Sequence, residues 1–406
     1  MKILLDMKFI KNIVEKIKPT FSEGGKLAAF HSLFDAIETF LFVPNETAKN
    51  GTHIHDAIDT KRSMFTVVVA LLPAMLFGMW NVGYQHFIAI GQQANFFEQF
   101  AFGLLAVLPT LLVAYAVGLG IEVIVAQVKK EEVAEGFFVT GFLIPMIVPI
   151  DTPLWMTAIA TAFAVIFAKE VFGGTGYNIF NVALITRAFL FFAYPTAMSG
   201  DKVWVRTRDA FWWGAGNPVD GFSGATPLGQ LGTSASGSPV FSDTMGQTAG
   251  FWDAFIGWIP GSVGETSTLA ILLGAILLIV TGVASWKIML SVFAGGAFTA
   301  LLFNVFGPET AIANLPWYEH LVLGGFAFGA VFMATDPVTA ARTETGKWIY
   351  GFLIGAIAIV VRVLNPGYPE GMMLAILLMN IFGCFIDWCV VQSNIKKRMK
   401  RVKQIK

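Results

Sequence analysis

From residue 63 onward the chain is a succession of apolar runs separated by short polar breaks, and the runs approach the length of a bilayer crossing. A spanning helix needs about 20 mostly apolar residues. About ten candidates satisfy or approach that length: Ser63–Tyr84, Phe100–Val128, Phe137–Val148, Leu154–Ala168, Ile179–Tyr194, Thr268–Ala284, Ile288–Phe306, Leu321–Ala334, Trp348–Val363 and Met372–Val391. The start of the chain differs. Met1 to Lys18 mixes Lys and Asp into its apolar residues and so lacks a signal-peptide core. Leu4, Met7, Ile10, Val14 and Ile17 fall on one helical face, which predicts an amphipathic helix lying along a membrane surface.

Lys and Arg in short loops mark the cytoplasmic side. With the N-terminus inside, the inner breaks hold Lys129, Lys130, Lys169, Lys287, Arg342 and Lys347, and the tail holds Lys396, Lys397, Arg398, Lys400 and Arg401. The short outer breaks at 85–99, 149–153 and 307–320 hold no Lys or Arg. Both termini are therefore expected in the cytoplasm. The expected divisions are a cytoplasmic segment 1–62, a membrane repeat 63–194, an outer loop 195–267, a second membrane repeat 268–391 and a basic tail 392–406.

The third and eighth apolar runs are too short to cross comfortably, and they lie five runs apart. Gly141-Phe142 with Pro145, Pro149 and Pro153 marks one; Gly325-Phe326 and Ala334-Thr335-Asp336-Pro337 mark the other. Each is followed by a full span, then a Gly/Pro-rich break (Gly173-Gly174-Thr175-Gly176; Asn365-Pro366-Gly367-Tyr368-Pro369) and a closing helix. An odd number of spans per copy inverts the second copy. Matching interrupted segments in two halves then point to broken helices around a midplane site. The plainer alternative is that Gly and Pro serve helix packing.

Composition supports the membrane reading. The chain is 55% hydrophobic and 13% charged, with a mean hydropathy of +0.67, where soluble domains carry about a quarter charged residues. Net charge is zero, which gives no reason to expect a nucleic-acid partner. Cys384 and Cys389 share one apolar run at a spacing unlike zinc or redox motifs, and are read as packing residues. Gly346-Lys347 is followed by Trp348, so there is no P-loop; a dinucleotide fingerprint is absent too. NADH binding is therefore expected to lie outside this chain.

Ionisable residues inside spans are functional candidates by default. Asp387 lies in the last run, Glu122 in the second and Arg187 in the fifth. Arg187 needs an anionic partner or a carbonyl. Glu122 is as well explained by pairing with Lys129 as by cation binding, and Asp387 lies near the basic tail. Asp336 is read as a residue that caps or orients the eighth run. In the outer loop stands Asp220-Gly221-Phe222-Ser223-Gly224-Ala225-Thr226. An unassisted threonine hydroxyl is a poor nucleophile, and the bland reading is a Gly/Ser-rich turn.

That run nevertheless resembles the flavinylation motif of flavin-bearing redox proteins. The likeness extends to Lys169–Gly176 with Asn178 and Asn181, to Ala188–Pro195, to Ile259–Ser262, and to the runs 320–338 and 365–377. Together these resemble the B-subunit family of the sodium-translocating NADH:quinone reductases. The D-type component of Rnf-type ferredoxin reductases is similar as well, and it is expected to lack the N-terminal extension.

The resemblance implies an all-α integral membrane protein of the bacterial inner membrane, with two inverted five-helix repeats and short broken helices, urea-transporter-like. It implies one member of a six-subunit translocase that passes electrons from NADH to ubiquinone or menaquinone while sodium crosses the membrane. FMN would be joined through its phosphate to Thr226, beside Ser223, Gly224 and Ala225, by a magnesium-dependent FMN transferase. A non-covalent riboflavin would be held by hydrogen bonds, with Asn178 and Asn181 on one helix face as candidates, although Asn also caps helices at such breaks. Asp387 and Glu122 would serve sodium uptake, oxygen ligands suiting a hard cation. Phe328 and Phe332 would form a constriction gating by dewetting, core packing being the ordinary alternative for such a pair. Quinone would bind near Gly118-Leu119-Gly120, where Leu119 stands at a position that is glycine in better-known members. The remaining alternatives are the D-type component of an Rnf complex and a non-redox channel or transporter of the same architecture.

Overall fold

The structure, a computed structural model, describes residues 8–21, 34, 37–39, 42, 50–52, 54, 58–129, 133, 136–201, 203–211, 213–234, 237–365, 367–368 and 370–405. Leu4, Met7, Lys130, Pro366 and Pro369 lie outside them. The amphipathic start forms helix α1 (Lys8–Phe21).

The first half contains α2 (Thr60–Ala89), α3 (Phe96–Lys129), α4 (Gly136–Ile147), α5 (Leu154–Phe163) and α6 (Val182–Ala193). Helix α5 continues through a π turn at Ala164–Lys169 and a 3-10 turn at Glu170–Phe172. The outer loop carries α7 (Pro227–Thr233), a two-stranded antiparallel ribbon pairing Phe241–Ser242 with Thr248–Ala249, and a helical turn at Phe251–Ile256. The second half contains α8 (Thr268–Val280), α9 (Trp286–Phe306), α10 (Trp317–Val322), α11 (Phe326–Phe328) running into a π turn at Gly329–Met333, α12 (Glu344–Leu364) and α13 (Met372–Ile405).

Among the described residues six helices are long and apolar enough to cross a membrane. Of the remaining expected spans, α4 is as short as anticipated, and α6 and α8 are shorter than anticipated. Helices α4 and α6 have 12 residues each and α8 has 13, which is roughly 18–20 Å at 1.5 Å per residue, against a hydrocarbon core of ~30 Å. The eighth run breaks at Leu323-Gly324-Gly325, where Gly324 has φ +62°. The break after α5 is built on Gly173, Gly174 and Gly176 at φ +117°, +95° and +93°, a region that a side chain disfavours. Irregular backbone at such depth is tolerated where it is buried in protein. The segment entering α8 illustrates this: the Gly264 N–H donates to the Met146 carbonyl at 2.8 Å, satisfying an acceptor in the last turn of α4.

Small residues let the helices touch backbone to backbone. A Cβ on Gly295 would strike the Phe352 carbonyl, and one on Gly355 that of Val292, so α9 and α12 pack backbone to backbone. Gly103 meets Met79 in the same way between α3 and α2, and Gly274 meets Ala70 between α8 and α2, joining the two halves.

The ion pairs agree with the alternation of sides read from the sequence. Lys129 pairs with Glu170 at 3.3 Å, and Lys287 pairs with Glu344, which also takes Lys347 at 2.8 Å. Each joins breaks expected on the inner side. Asp151 and Arg208, at 3.2 Å, join two breaks expected outside. Two expectations change. Lys169 is buried in the π turn of α5 rather than lying in a loop. Cys384 and Cys389 are free and exposed on the outer face of α13, away from the core they were expected to fill.

Candidate functional site

Two cavities meet at one aromatic pair. The cavity on the side expected to face the cytoplasm, the inner one, is bordered by Lys169, Thr175, Asn178, Asn181, Phe332 and Asp336. The outer one is bordered by Ile147, Arg187, Ser262, Glu265, Phe328 and Glu370. Phe328 faces only the outer cavity and Phe332 only the inner, their ring centroids being 5.2 Å apart. Phe328 belongs to α11 and Phe332 to the π turn after it, a helix irregularity frequent at functional sites. Glycines give the rings room: Gly264 lies against Phe328 and Gly274 against Phe332.

Asn178 and Asn181 reach the inner cavity, though not from one helix face. Asn178 lies in the irregular segment before α6, its amide donating to the Phe180 carbonyl at 2.9 Å. Asn181 is the N-cap of α6: its Oδ1 accepts from Leu184 N at 3.2 Å and its Nδ2 donates to Asp336 Oδ2 at 3.2 Å. The capping role therefore belongs to α6 and leaves room for a second one. Asp336 also takes the Val338 N–H at 3.0 Å, so it orients the break after the second π turn and ties it to the first half. The Thr175 hydroxyl, on the same cavity, is buried with no hydrogen-bond partner among the described residues.

Glu122 on α3 is buried and paired with Lys169, not with Lys129 as anticipated. Sequence spacing along α3 favoured Lys129, but the π turn in α5 brings Lys169 across. Asp387 on α13 is half-buried, and both of its oxygens are engaged: it accepts from Arg342 N at 2.7 Å, from Thr343 N at 2.9 Å and from the Thr343 hydroxyl at 2.5 Å. It clasps the N-cap of α12 to α13. On α3, Gly118 makes room for the Phe137 ring, Leu119 packs on the core, and Gly120 opens onto free space.

Thr226 is half-buried and is the N-cap of α7, its hydroxyl accepting from Gly229 N at 3.2 Å, with Pro227 in the first turn. The preceding residues are anchored. Gln230 Nε2 donates to the Ala225 carbonyl at 3.0 Å and to the Ser242 carbonyl at 2.9 Å, fastening the run to the ribbon. Ser223 N donates to the Thr244 carbonyl at 3.2 Å, and Thr244 donates to Gln85 of α2 at 2.9 Å. Leu228 of α7 seats on Gly324, so this helix covers the break between α10 and α11.

Several buried charges escaped the sequence reading. Glu265 and Glu370 sit in loops by the hydropathy pattern, so a search confined to spans passes over them. Arg362, fully buried, lies inside the ninth run and was open to that search. Its Nη1 donates to the His320 carbonyl at 2.6 Å and its Nη2 to the Leu323 carbonyl at 3.1 Å. Glu370 is the partner that Arg187 requires.

Long apolar helices around interrupted segments define a multi-pass, all-α integral membrane protein. A family model described as NQR2, RnfD, RnfE matches residues 47–396. A protein of Chromohalobacter salexigens is 46% identical over 97% of this chain and 96% of its own length. One from Klebsiella pneumoniae (strain 342) is 44% identical over 97% and 99%, and one from Ectopseudomonas mendocina 46% over 97% and 99%. All three are named as the B-subunit of the Na(+)-translocating NADH-quinone reductase. The chain belongs to the NQR2, RnfD, RnfE family.

Proposed function

We propose that this chain carries FMN on Thr226 within a sodium-translocating NADH:quinone reductase of a bacterial inner membrane, both termini facing the cytoplasm. Its relatives' shared name makes it a membrane component of that enzyme, acting with the other subunits of the complex. In this reading it passes electrons toward ubiquinone or menaquinone and forms part of the sodium path.

The observation that carries the reading is the mounting of Thr226. Its hydroxyl stands half-buried at the head of a helix fixed by Gln230 and Leu228, in a run whose Gly224 lets the chain pass close to the Asp201 carbonyl. That arrangement suits a phosphoester to FMN installed by a transferase. The flavin would supply one-electron chemistry; the chain's part is to hold it over the break at Gly324. The inner cavity suits riboflavin, which has no phosphate, because its border offers the amides of Asn178 and Asn181 and the unpartnered Thr175 hydroxyl. Quinone would approach along Gly120 on α3. Sodium would cross between the two cavities past Phe328 and Phe332, with Asp387 and Glu122 on the inner approach.

The test is mass spectrometry of the peptide containing Thr226 from the assembled, active complex. The reading requires the mass of FMN less water on that threonine. An unmodified peptide overturns it and leaves a non-redox channel of the same architecture as the better account. The sodium assignment is checked apart from this: Asp387→Ala should raise the sodium concentration needed for half-maximal quinone reduction. An unchanged requirement removes Asp387 from the path and leaves it as the clasp of Thr343.

A further inference from the structure

Glu265 holds the most conspicuous unused bonding capacity in the interior. It is only 5% exposed, on the segment that leads into α8. Oε1 accepts the Ser262 N–H at 2.9 Å. Oε2 is buried with no hydrogen-bond partner among the described residues, and the hydroxyl of Ser262, itself 2% exposed, is in the same position. Leaving a buried carboxylate oxygen unsatisfied is costly, so its persistence calls for an occupant. Neither buried guanidinium in the neighbourhood bonds it. Arg187 is taken by Glu370, and Arg362 spends both of its terminal amino groups on the carbonyls of His320 and Leu323.

The space beside that oxygen is real. A Cβ built on Gly325 would lie 3.3 Å from Oε2, and one on Gly261 3.0 Å from Oε1. Gly325 has φ −73°, which any residue adopts, so its backbone does not require glycine. What its missing side chain provides is room next to the carboxylate. The cavity concerned is the outer one, bordered by Ile147 from the end of α4 and by Phe328.

We propose that Glu265 Oε2 and Ser262 Oγ form a binding site for a monovalent cation on the outer side of the Phe328–Phe332 pair. The inference rests on the sodium-path reading above and assigns that path its outer resting place. Oxygen donors alone suit a hard cation. The two carboxylates Glu265 and Glu370 are already balanced in charge by Arg187 and Arg362, so an arriving cation adds a net positive charge. It is held by local contact and not by an excess of negative charge. Such a site binds weakly, which is what conduction demands: favourable enough to enter, loose enough to leave.

The experiment uses the intact complex in proteoliposomes, with radioactive sodium uptake driven by NADH and quinone, and compares Glu265→Gln, Gly325→Ala and Phe328→Ala. Glu265→Gln keeps the shape and removes the charge; it should raise the sodium concentration for half-maximal uptake by about tenfold or more, the equivalent of one lost charge-assisted contact. Gly325→Ala fills the space without touching the charge and should shift the same quantity in the same direction. Adding sodium to the wild-type complex should also change the carboxyl region of its infrared difference spectrum, and Glu265→Gln should erase that change. If Glu265→Gln fails to assemble, Gly325→Ala decides alone. Unaltered sodium dependence in the Glu265 and Gly325 variants, with Phe328→Ala still impairing uptake, overturns this site and leaves the path standing. Unaltered dependence in all three overturns the path as well.

Discussion

Thr226→Val should leave the purified chain without flavin fluorescence at its own band on a denaturing gel, while the protein still reaches the membrane. Valine matches threonine in volume and branching, so what is lost is one oxygen. That oxygen has two uses. As the N-cap of α7 it accepts the Gly229 N–H, and losing a cap costs about 1 kcal/mol. This is small beside what holds the helix in place: Leu228 and Leu231 are each 2% exposed, and Gln230 bonds the Ala225 and Ser242 carbonyls. The fold of the outer loop should therefore survive. As an acceptor of phosphate the oxygen has no substitute at that position, and the loss of fluorescence should be complete. Thr226→Ser restores both the oxygen and the cap and should recover at least part of the signal. Persistent fluorescence in the valine variant would place the flavin elsewhere and sink the assignment.

The legibility of this chain followed the physics of its solvent. Apolar runs are conspicuous because lipid leaves few alternatives, and α2, α3, α9, α12 and α13 lie where hydropathy put them. One break was legible too, since Gly173–Gly176 announces backbone that a helix cannot use, whereas the turn at Gly324 falls inside a run read as continuous. Hidden from the sequence were the interruptions that need an inserted residue and not a special one. The π turns at Ala164–Lys169 and Gly329–Met333 have ordinary composition, and it is the first of them that carries Lys169 inward to Glu122. Pairing across the halves was equally hidden: nothing in the spacing of Asn181 names Asp336, and nothing around Arg187 names Glu370. The most telling omission is Glu265. Hydropathy assigned residues 195–267 to an outer loop, yet the end of that loop turns back into the bundle, and Val263, 2% exposed, meets Gly78 of α2. A short apolar stretch containing a carboxylate does not register as membrane interior, so the carboxylate was passed over.

The Arg187–Glu370 pair joins the closing helix of the first half to the last break of the second, and its disruption should be the most damaging change to the fold. The two side chains are 8% and 12% exposed. Removing one partner of a buried pair costs roughly 3–5 kcal/mol, because the survivor is left charged without compensation. The two deletions should not be equal. Glu370→Ala leaves Arg187 beside Glu265, a second carboxylate on the same cavity able to take over the pairing. Arg187→Ala leaves two buried carboxylates facing each other with no guanidinium bonded to either. Thermal denaturation of the complex, followed by size-exclusion chromatography after heating, should rank Arg187→Ala well below Glu370→Ala. The double variant Arg187→Met with Glu370→Met should regain much of the loss, since exchanging a whole buried pair for apolar groups of similar size is often close to neutral. Its sodium dependence should nevertheless differ from wild type. Both charges of the pair are gone from the cavity that Glu265 borders; Glu265 against Arg362 still nets to zero, but the local field at Glu265 changes. If the two single variants melt together, or the double variant is worse than either, the pair is not the electrostatic joint between the halves that its burial and partners indicate.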